Sequence, residues 1–220
     1  VAPREQIARI ALDAPDALAV DLDAQAALGL AQVAGEEALG RRAGLPGPLY
    51  AVRGMGGAAP TGGRLMDQNL LRSYLATVYE FPTTSGPLRA SLDGDIVPDV
   101  STLPDLLQKP FVVLTAYNPR SMLLPRKVNE QRHQVMRDLL ILGVYRVEAC
   151  VGYEEDPEGT WREASWMVHG MDRDEAIAFG RVFRQNAVLV CRNGRPEIVV
   201  TDPTCDDVGR TFVGNWRVRT

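Results

Sequence analysis

Thr115, Tyr117 and Asn118 stand at the end of one apolar run, and Arg126, Asn129 and Arg132 stand where the next periodic segment begins. If the run is a strand and the segment a helix, hydroxyl, amide and guanidinium donors meet beside the positive helix pole. That arrangement suits an anionic group such as phosphate or carboxylate. The same residues have plain structural roles as well: Asn118-Pro119 makes a turn, Asn129 caps a helix, and the arginines are solvated. Gln185 and Asn186 close a later helical segment, where amides can satisfy exposed carbonyls or complete a pocket. Trp161 and Glu163 share one face of an extended segment, with Trp166 on the other. An aromatic plane beside a carboxylate can hold a base or an amine, and a tryptophan there can equally cover core surface.

Standard catalytic signatures are absent from the chain. His133 and His169 are its two histidines, and there is no HExxH, GxSxG, GxxxxGK or strand-to-helix GxGxxG. His169 could serve as a base near Glu163, or as a hydrogen-bonded structural imidazole; His133 reads as helix surface. Cys150, Cys191 and Cys205 are odd in number and widely spaced, so neither a disulfide framework nor a zinc or redox pair is expected. No metal or other cofactor is implied.

The elements that must position these residues follow from pattern and punctuation. FVVLTAY (111–117) is a short β-branched and aromatic run closed by Asn-Pro, hence a buried strand entering a turn. A helix follows, capped by Asn129, striped by Val135, Met136, Leu139 and Leu140, and stopped at Gly143. VYRVEACVGY (144–153) alternates with period two and pairs across a polar turn at 154–159 with REASWMVHG. Asp172 with Glu175 forms a capping box for a second helix ending near Gln185. AVLVC and EIVVT flank Asn193-Gly194, the signature of a tight hairpin. DQNLLRSYLATVYEF begins helical and passes into a strand, and PLRASL pairs back across 83–86.

Over 111–200 the order is βαββαββ, which predicts an α+β, ferredoxin-like antiparallel sheet with two helices on one face. The direct hairpins exclude a doubly wound parallel sheet. Residues 1–53 read as an Ala-rich helical extension with a short strand over 49–52. Residues 54–65 read as a flexible, protease-sensitive linker, 66–203 as the main domain and 204–220 as a C-terminal tail.

The segments LRSYLATVYEF, FVVLTAYNPRS, WREASW and FGRVFRQNAVLV, with Asn129 opening a helix, are similar to the bacterial family catalogued as domain of unknown function 3293. The likeness covers roughly residues 70–200. It supplies no activity, substrate or catalytic role.

Composition bounds the function further. The chain has 220 residues, is 45% hydrophobic and 24% charged, and carries a formal net charge of −4. That balance gives no general electrostatic reason to bind nucleic acid or an anionic membrane. No segment reaches membrane-span length and no signal pattern opens the chain, so a cytoplasmic location is expected. The leading expectation is a binding or regulatory module. Its partner would be a small anionic ligand, nucleotide or metabolite, or a protein, and the site would comprise Tyr117, Asn118, Arg126, Asn129, Arg132, Glu163 and Gln185. The alternative is an enzyme, a hydrolase or transferase, acting on a nucleotide-like or acyl substrate. The N-terminal helices could dock or form a homodimer.

Overall fold

A computed structural model describes residues 65–155 and 161–219. The expected N-terminal extension, the 49–52 strand, the linker up to residue 64 and most of the 154–159 turn lie outside the described residues. The strands are β1 (Val78–Phe81), β2 (Leu88–Ser91), β3 (Phe111–Leu114), β4 (Arg146–Tyr153) and β5 (Arg162–His169), followed by β6 (Ala187–Arg192), β7 (Arg195–Val200), β8 (Thr211–Val213) and β9 (Arg217–Arg219). The helices are α1 (Gln68–Ala76), α2 (Asp105–Gln108), α3 (Arg126–Leu142) and α4 (Arg173–Val182). All nine strands join one sheet in the order β8-β7-β6-β3-β5-β4-β1-β2-β9, and every ladder in it is antiparallel.

This overturns the ferredoxin-like expectation. The sheet is a nine-stranded half-barrel with few helices, not a small sheet in a two-layer fold. The elements read over 111–200 are present in their expected order, but the chain on either side of them adds strands to both flanks. One sign of this was in the sequence. FVVL of β3 is buried at all four positions and AVLVC of β6 at all five. A strand with no polar alternation is covered on both faces and needs material on each.

Side-chain alternation sorts that material into two cores. Val112, Leu114, Val168, Val188, Val190 and Val199 meet Met136 and Leu140 of α3 and Phe179 of α4. Phe111, Val113, Met167, Leu189, Cys191 and Ile198 point the other way, to Leu71 after α1 begins, Leu107 of α2, and Trp216. Trp216 lies 6.3 Å, centroid to centroid, from both Phe81 and Phe111. Residues 204–219 are therefore part of the sheet and core, not a tail. Asp207 accepts the Met66 N–H at 3.2 Å, tying the two ends of the described chain together.

Local signals account for most helix limits. Asp67 caps α1 by accepting from the Asn69 and Leu70 amides. Asp172 and Glu175 form the reciprocal capping box of α4, as their spacing predicts, although α4 stops at Val182 rather than near Gln185. α3 ends at Gly143 but starts at Arg126, with Pro125 in the cap position. Asn129 is thus inside the first turns, not the cap, because Pro125 already fixes the entry φ. Asn193 and Gly194, at φ 49° and 74°, turn the β6–β7 hairpin as expected. Among the described residues no helix is long and apolar enough to cross a membrane.

Candidate functional site

The turn after β3 is wound through the left-handed region, with φ of 44° at Asn118, 52° at Arg120 and 58° at Ser121. Three such residues among four are costly unless their surroundings fix them. Asn118 and Asn129 supply much of that fixation. The Asn118 N–H donates to Asn129 Oδ1 at 2.9 Å, while Asn129 Nδ2 donates to Asn118 Oδ1 at 2.8 Å and to the Leu124 carbonyl at 3.2 Å. The Leu124 N–H also donates to Asn118 Oδ1, at 3.0 Å. The Asn118 side-chain amide reaches across to β5, where Nδ2 donates to Glu163 Oε1 at 2.6 Å. Asn129, 4% exposed, therefore acts as a buried bracket for the turn.

The other expected site residues divide. Gln185 Nε2 donates to the Tyr117 carbonyl at 2.9 Å and so joins the bracket. Thr115 Oγ1 donates to the Ala164 carbonyl and accepts the Tyr117 N–H. The Tyr117 ring leaves the cluster and packs edge-on against His133, 5.5 Å away. Arg132 donates through Nε to the Ala116 carbonyl at 2.9 Å and through a terminal nitrogen to the Phe183 carbonyl at 2.8 Å. It ties the strand end to the end of α4, so the expectation of a solvated or anion-facing arginine there is corrected. Arg126 is exposed and pairs with Glu130 at 2.6 Å, outside the cluster. His133 is no surface residue: it stacks on Trp166 at 4.5 Å, and burial pushes its pKa down to about 4. His169 lies 3.1 Å from Glu148. It is six residues along β5 from Glu163, about 20 Å at strand rise, so the two do not converge.

Glu163 faces a cavity of about 300 Å³ between the sheet and α1. Its lining includes Ser73 and Tyr74 of α1, Tyr79, Gly152 and Ser165 of the sheet, and Asn118, Glu154, Trp161 and Gln185 from the segments between elements. β5 places Glu163, Ser165 and Met167 on this face because they alternate with Ala164, Trp166 and Val168. Glu163 is 7% exposed. Burial raises its pKa, while hydrogen bonds from Asn118 and the Trp161 indole act in the opposite sense. Burial also raises the phenols of Tyr74 and Tyr79, with the negative charge of Glu163 adding to both, so they are neutral donors at physiological pH. Among the described residues that line the cavity there is no Lys, Arg or His, and the carboxyl groups are Glu154 and Glu163.

Tyr74, Tyr79, Gly152 and Ser165 escaped sequence reasoning. Ser165 was recoverable: with Glu163 it puts two polar groups on the face that Met167 assigns to the interior. The tyrosines were not, because the strand order that brings β1 beside β4 is a long-range fact. Cys150 and Cys191 are buried thiols outside any disulfide, the latter with its pKa pushed up to about 12. Neither buried thiol has the character of a nucleophile.

Residues 114–188 match the model of a family described as Protein of unknown function (DUF3293), which bears out the resemblance over roughly a third of the chain. That span holds Asn118, Asn129, Glu163 and Gln185, but not α1, Tyr74 or Tyr79. No curated protein and no solved structure matches the chain.

Proposed function

We propose that this chain, with its DUF3293 match, is a small-ligand binding module whose ligand enters the cavity beneath α1 and presents N–H donors to Glu163. The observation that carries the reading is a buried carboxyl group facing a cavity whose lining, among the described residues, offers it no cation. A carboxylate has about four acceptor positions. The Asn118 and Trp161 donors occupy two of them. Leaving an ionised carboxylate buried without a counter-charge is costly, and a ligand amine, amidine or nucleobase edge would relieve that cost. Trp161, Tyr74 and Tyr79 supply aromatic surface for a planar group. The volume suits a ligand of nucleobase to nucleoside size, at the small end of pockets.

Glu163 also favours a second reading, as the base or acid of a hydrolase or transferase, since a raised carboxyl pKa in a cleft is what such chemistry uses. Binding has the stronger support because, beside Glu163, the described lining residues include no His, Lys or Cys, and Glu154 is the other carboxyl group among them.

The test is calorimetric titration of adenine, cytosine and benzamidine into wild type and Glu163→Gln. Binding of at least one probe, weakened roughly tenfold or more in the variant, supports the reading. Equal affinity for both proteins, or no binding by any probe, overturns it. Turnover of model acyl or phosphate esters that disappears in the same variant would instead favour the enzyme.

A further inference from the structure

The cavity face of the β4–β5 ladder sets two carboxyl groups around one indole. Glu163 is paired with Gly152 and Arg162 with Tyr153, and the Glu154 N–H donates to the Trp161 carbonyl at 3.3 Å, which carries the pairing one step past the strand ends. Paired residues of an antiparallel ladder share a face, so Glu163, Trp161 and Glu154 stand together. Glu154 is then diagonal to Glu163, at a backbone separation of about 7–8 Å. Gly152 puts no side chain opposite the Glu163 carboxyl, and all four residues line the cavity. Glu163 is buried at the inner end, whereas Glu154 is exposed and therefore stands at the opening.

Positive charges near these carboxyl groups are turned away or engaged. Arg162 lies between Trp161 and Glu163 in sequence, but alternation puts it on the other face of the sheet. There it approaches Glu80 at 3.6 Å and lies over the Tyr153 ring at 5.2 Å. Arg120, in the turn whose Asn118 and Ser121 line the cavity, pairs with Asp202 at 3.4 Å. Donors from Asn118 and the Trp161 indole take about two of the four acceptor positions of Glu163 and leave about two. They lessen the cost of burial but bring no opposite charge. After burial, the Glu163 charge is among the influences that raise the phenols of Tyr74 and Tyr79, so both rings stand within its field. Aromatic side chains beside a carboxylate favour a cation over a neutral group.

We propose that the cavity selects a planar cation, an amidinium or guanidinium, whose parallel N–H donors pair with Glu163 beside Trp161, and that Glu154 at the opening meets a second cationic group of the same ligand. The proposal rests on the reading of the cavity given above and narrows its ligand from any N–H donor to a charged one. Two parallel N–H groups match the acceptor positions that Asn118 and Trp161 leave on Glu163. A nucleobase edge offers similar hydrogen bonds but leaves the buried carboxylate without a counter-charge. An ammonium brings the charge without the planar fork.

The experiment compares calorimetric affinities of benzamidine, its neutral isostere benzamide, benzylamine and 4-(aminomethyl)benzamidine for wild type, Glu163→Gln and Glu154→Gln. Benzamidine should bind wild type roughly tenfold or more tightly than benzamide, with benzylamine in between, and Glu163→Gln should erase the preference over benzamide. The added amine of 4-(aminomethyl)benzamidine should improve on benzamidine by roughly twofold to fivefold, because its partner is exposed, and Glu154→Gln should remove that gain. Benzamide as tight as benzamidine, with both weakened in Glu163→Gln, overturns the charged ligand and leaves the reading of the cavity standing. Benzylamine as tight as benzamidine overturns the planar head, and no gain from the added amine overturns the role of Glu154. If none of the four compounds binds, or none responds to Glu163→Gln, the reading of the cavity falls and this inference falls with it.

Discussion

The two faces of the central strands are built from the same residue stretches and come out differently. Beneath α3 and α4, a helix of seventeen residues and one of ten, Val112, Leu114, Val168, Val188 and Val190 close into apolar packing with Met136, Leu140 and Phe179. On the opposite face of the same strands, α1 has nine residues and α2 four, and the cover is completed by loops and Trp216. There β5 carries Glu163 and Ser165, Thr115 follows β3, and a cavity remains. Length of cover is the difference. A long amphipathic helix fills its groove with side chains, whereas a short one leaves the strand ends open, and polar residues placed there keep solvent-like partners within reach. One face can then supply rigidity to a site on the other, since neighbouring residues of one strand serve both.

The contrast predicts unequal costs of truncation. Leu140 is fully buried under α3, so Leu140→Ala should remove about 2–5 kcal/mol of stability in urea denaturation. Ser165→Ala, on the cavity wall, should cost no more than about 1 kcal/mol. Comparable losses for the two would mean that the cavity face is packed as tightly as the helix face.

Next in size is the bracket that joins the two faces at the strand end. Asn118→Ala should lose about 1–3 kcal/mol from orphaned partners, and more because alanine resists the left-handed conformation at φ 44°. Asn118→Gly loses the same hydrogen bonds but not the conformational fit, and should recover about 1 kcal/mol of the difference. If the two variants unfold together, the turn is not held in that conformation in solution.

Legibility in the sequence follows the same division. The α3 stripe, the stop at Gly143, the Asp172 capping box and the Asn193-Gly194 hairpin are local, and each was readable from spacing and side-chain chemistry. The sheet was not, because Val78–Phe81 and Arg217–Arg219 are ordinary short strands whose place is set by partners more than fifty residues away. At the site, Asn118, Glu163 and Gln185 could be named from their positions at element ends. Their roles could not: Asn129 looked like a cap and is a bracket, and Arg132 looked free and is spent on two carbonyls. Those roles depend on which carbonyls the folded chain leaves nearby.

pH sharpens the comparison, because His133 on one face and Glu163 on the other are shifted in opposite directions. On the helix face, His133 titrates near 4 in the fold against an ordinary value of 6.5. A depressed value means that its neutral form fits the fold, so its contribution is whole above about pH 6.5 and is lost as pH falls towards 4. On the cavity face, Glu163 is raised above its ordinary 4.5, so its contribution is whole below about pH 4.5 and is lost as pH rises through the raised value. His133→Phe should therefore gain on wild type at pH 4 relative to pH 7, and Glu163→Gln should gain at pH 7 relative to pH 4. Thermal unfolding across that range checks both. Parallel pH profiles for the two variants would show that at least one of these groups is not buried as described.

The smallest effect on stability comes at Gly152, on the cavity wall. A β-carbon built there would meet Thr77 Cγ2 at 3.4 Å, Tyr79 Cε1 at 3.7 Å and Trp161 Cη2 at 3.8 Å, all ordinary contact distances. No positive φ is recorded for it, so alanine is conformationally acceptable. Replacing glycine by alanine at such a position restricts the unfolded chain and stabilises by about 0.4–1 kcal/mol. The added methyl group nevertheless occupies space between Trp161 and Tyr79, the aromatic surfaces expected to hold the ligand ring. Gly152→Ala should thus leave folding unchanged or slightly improved while weakening whichever of adenine, cytosine or benzamidine binds wild type, in calorimetry on the same preparations. A variant that is destabilised by more than about 1 kcal/mol would show that the wall is already close-packed and that the two faces of the sheet are more alike than the cavity implies.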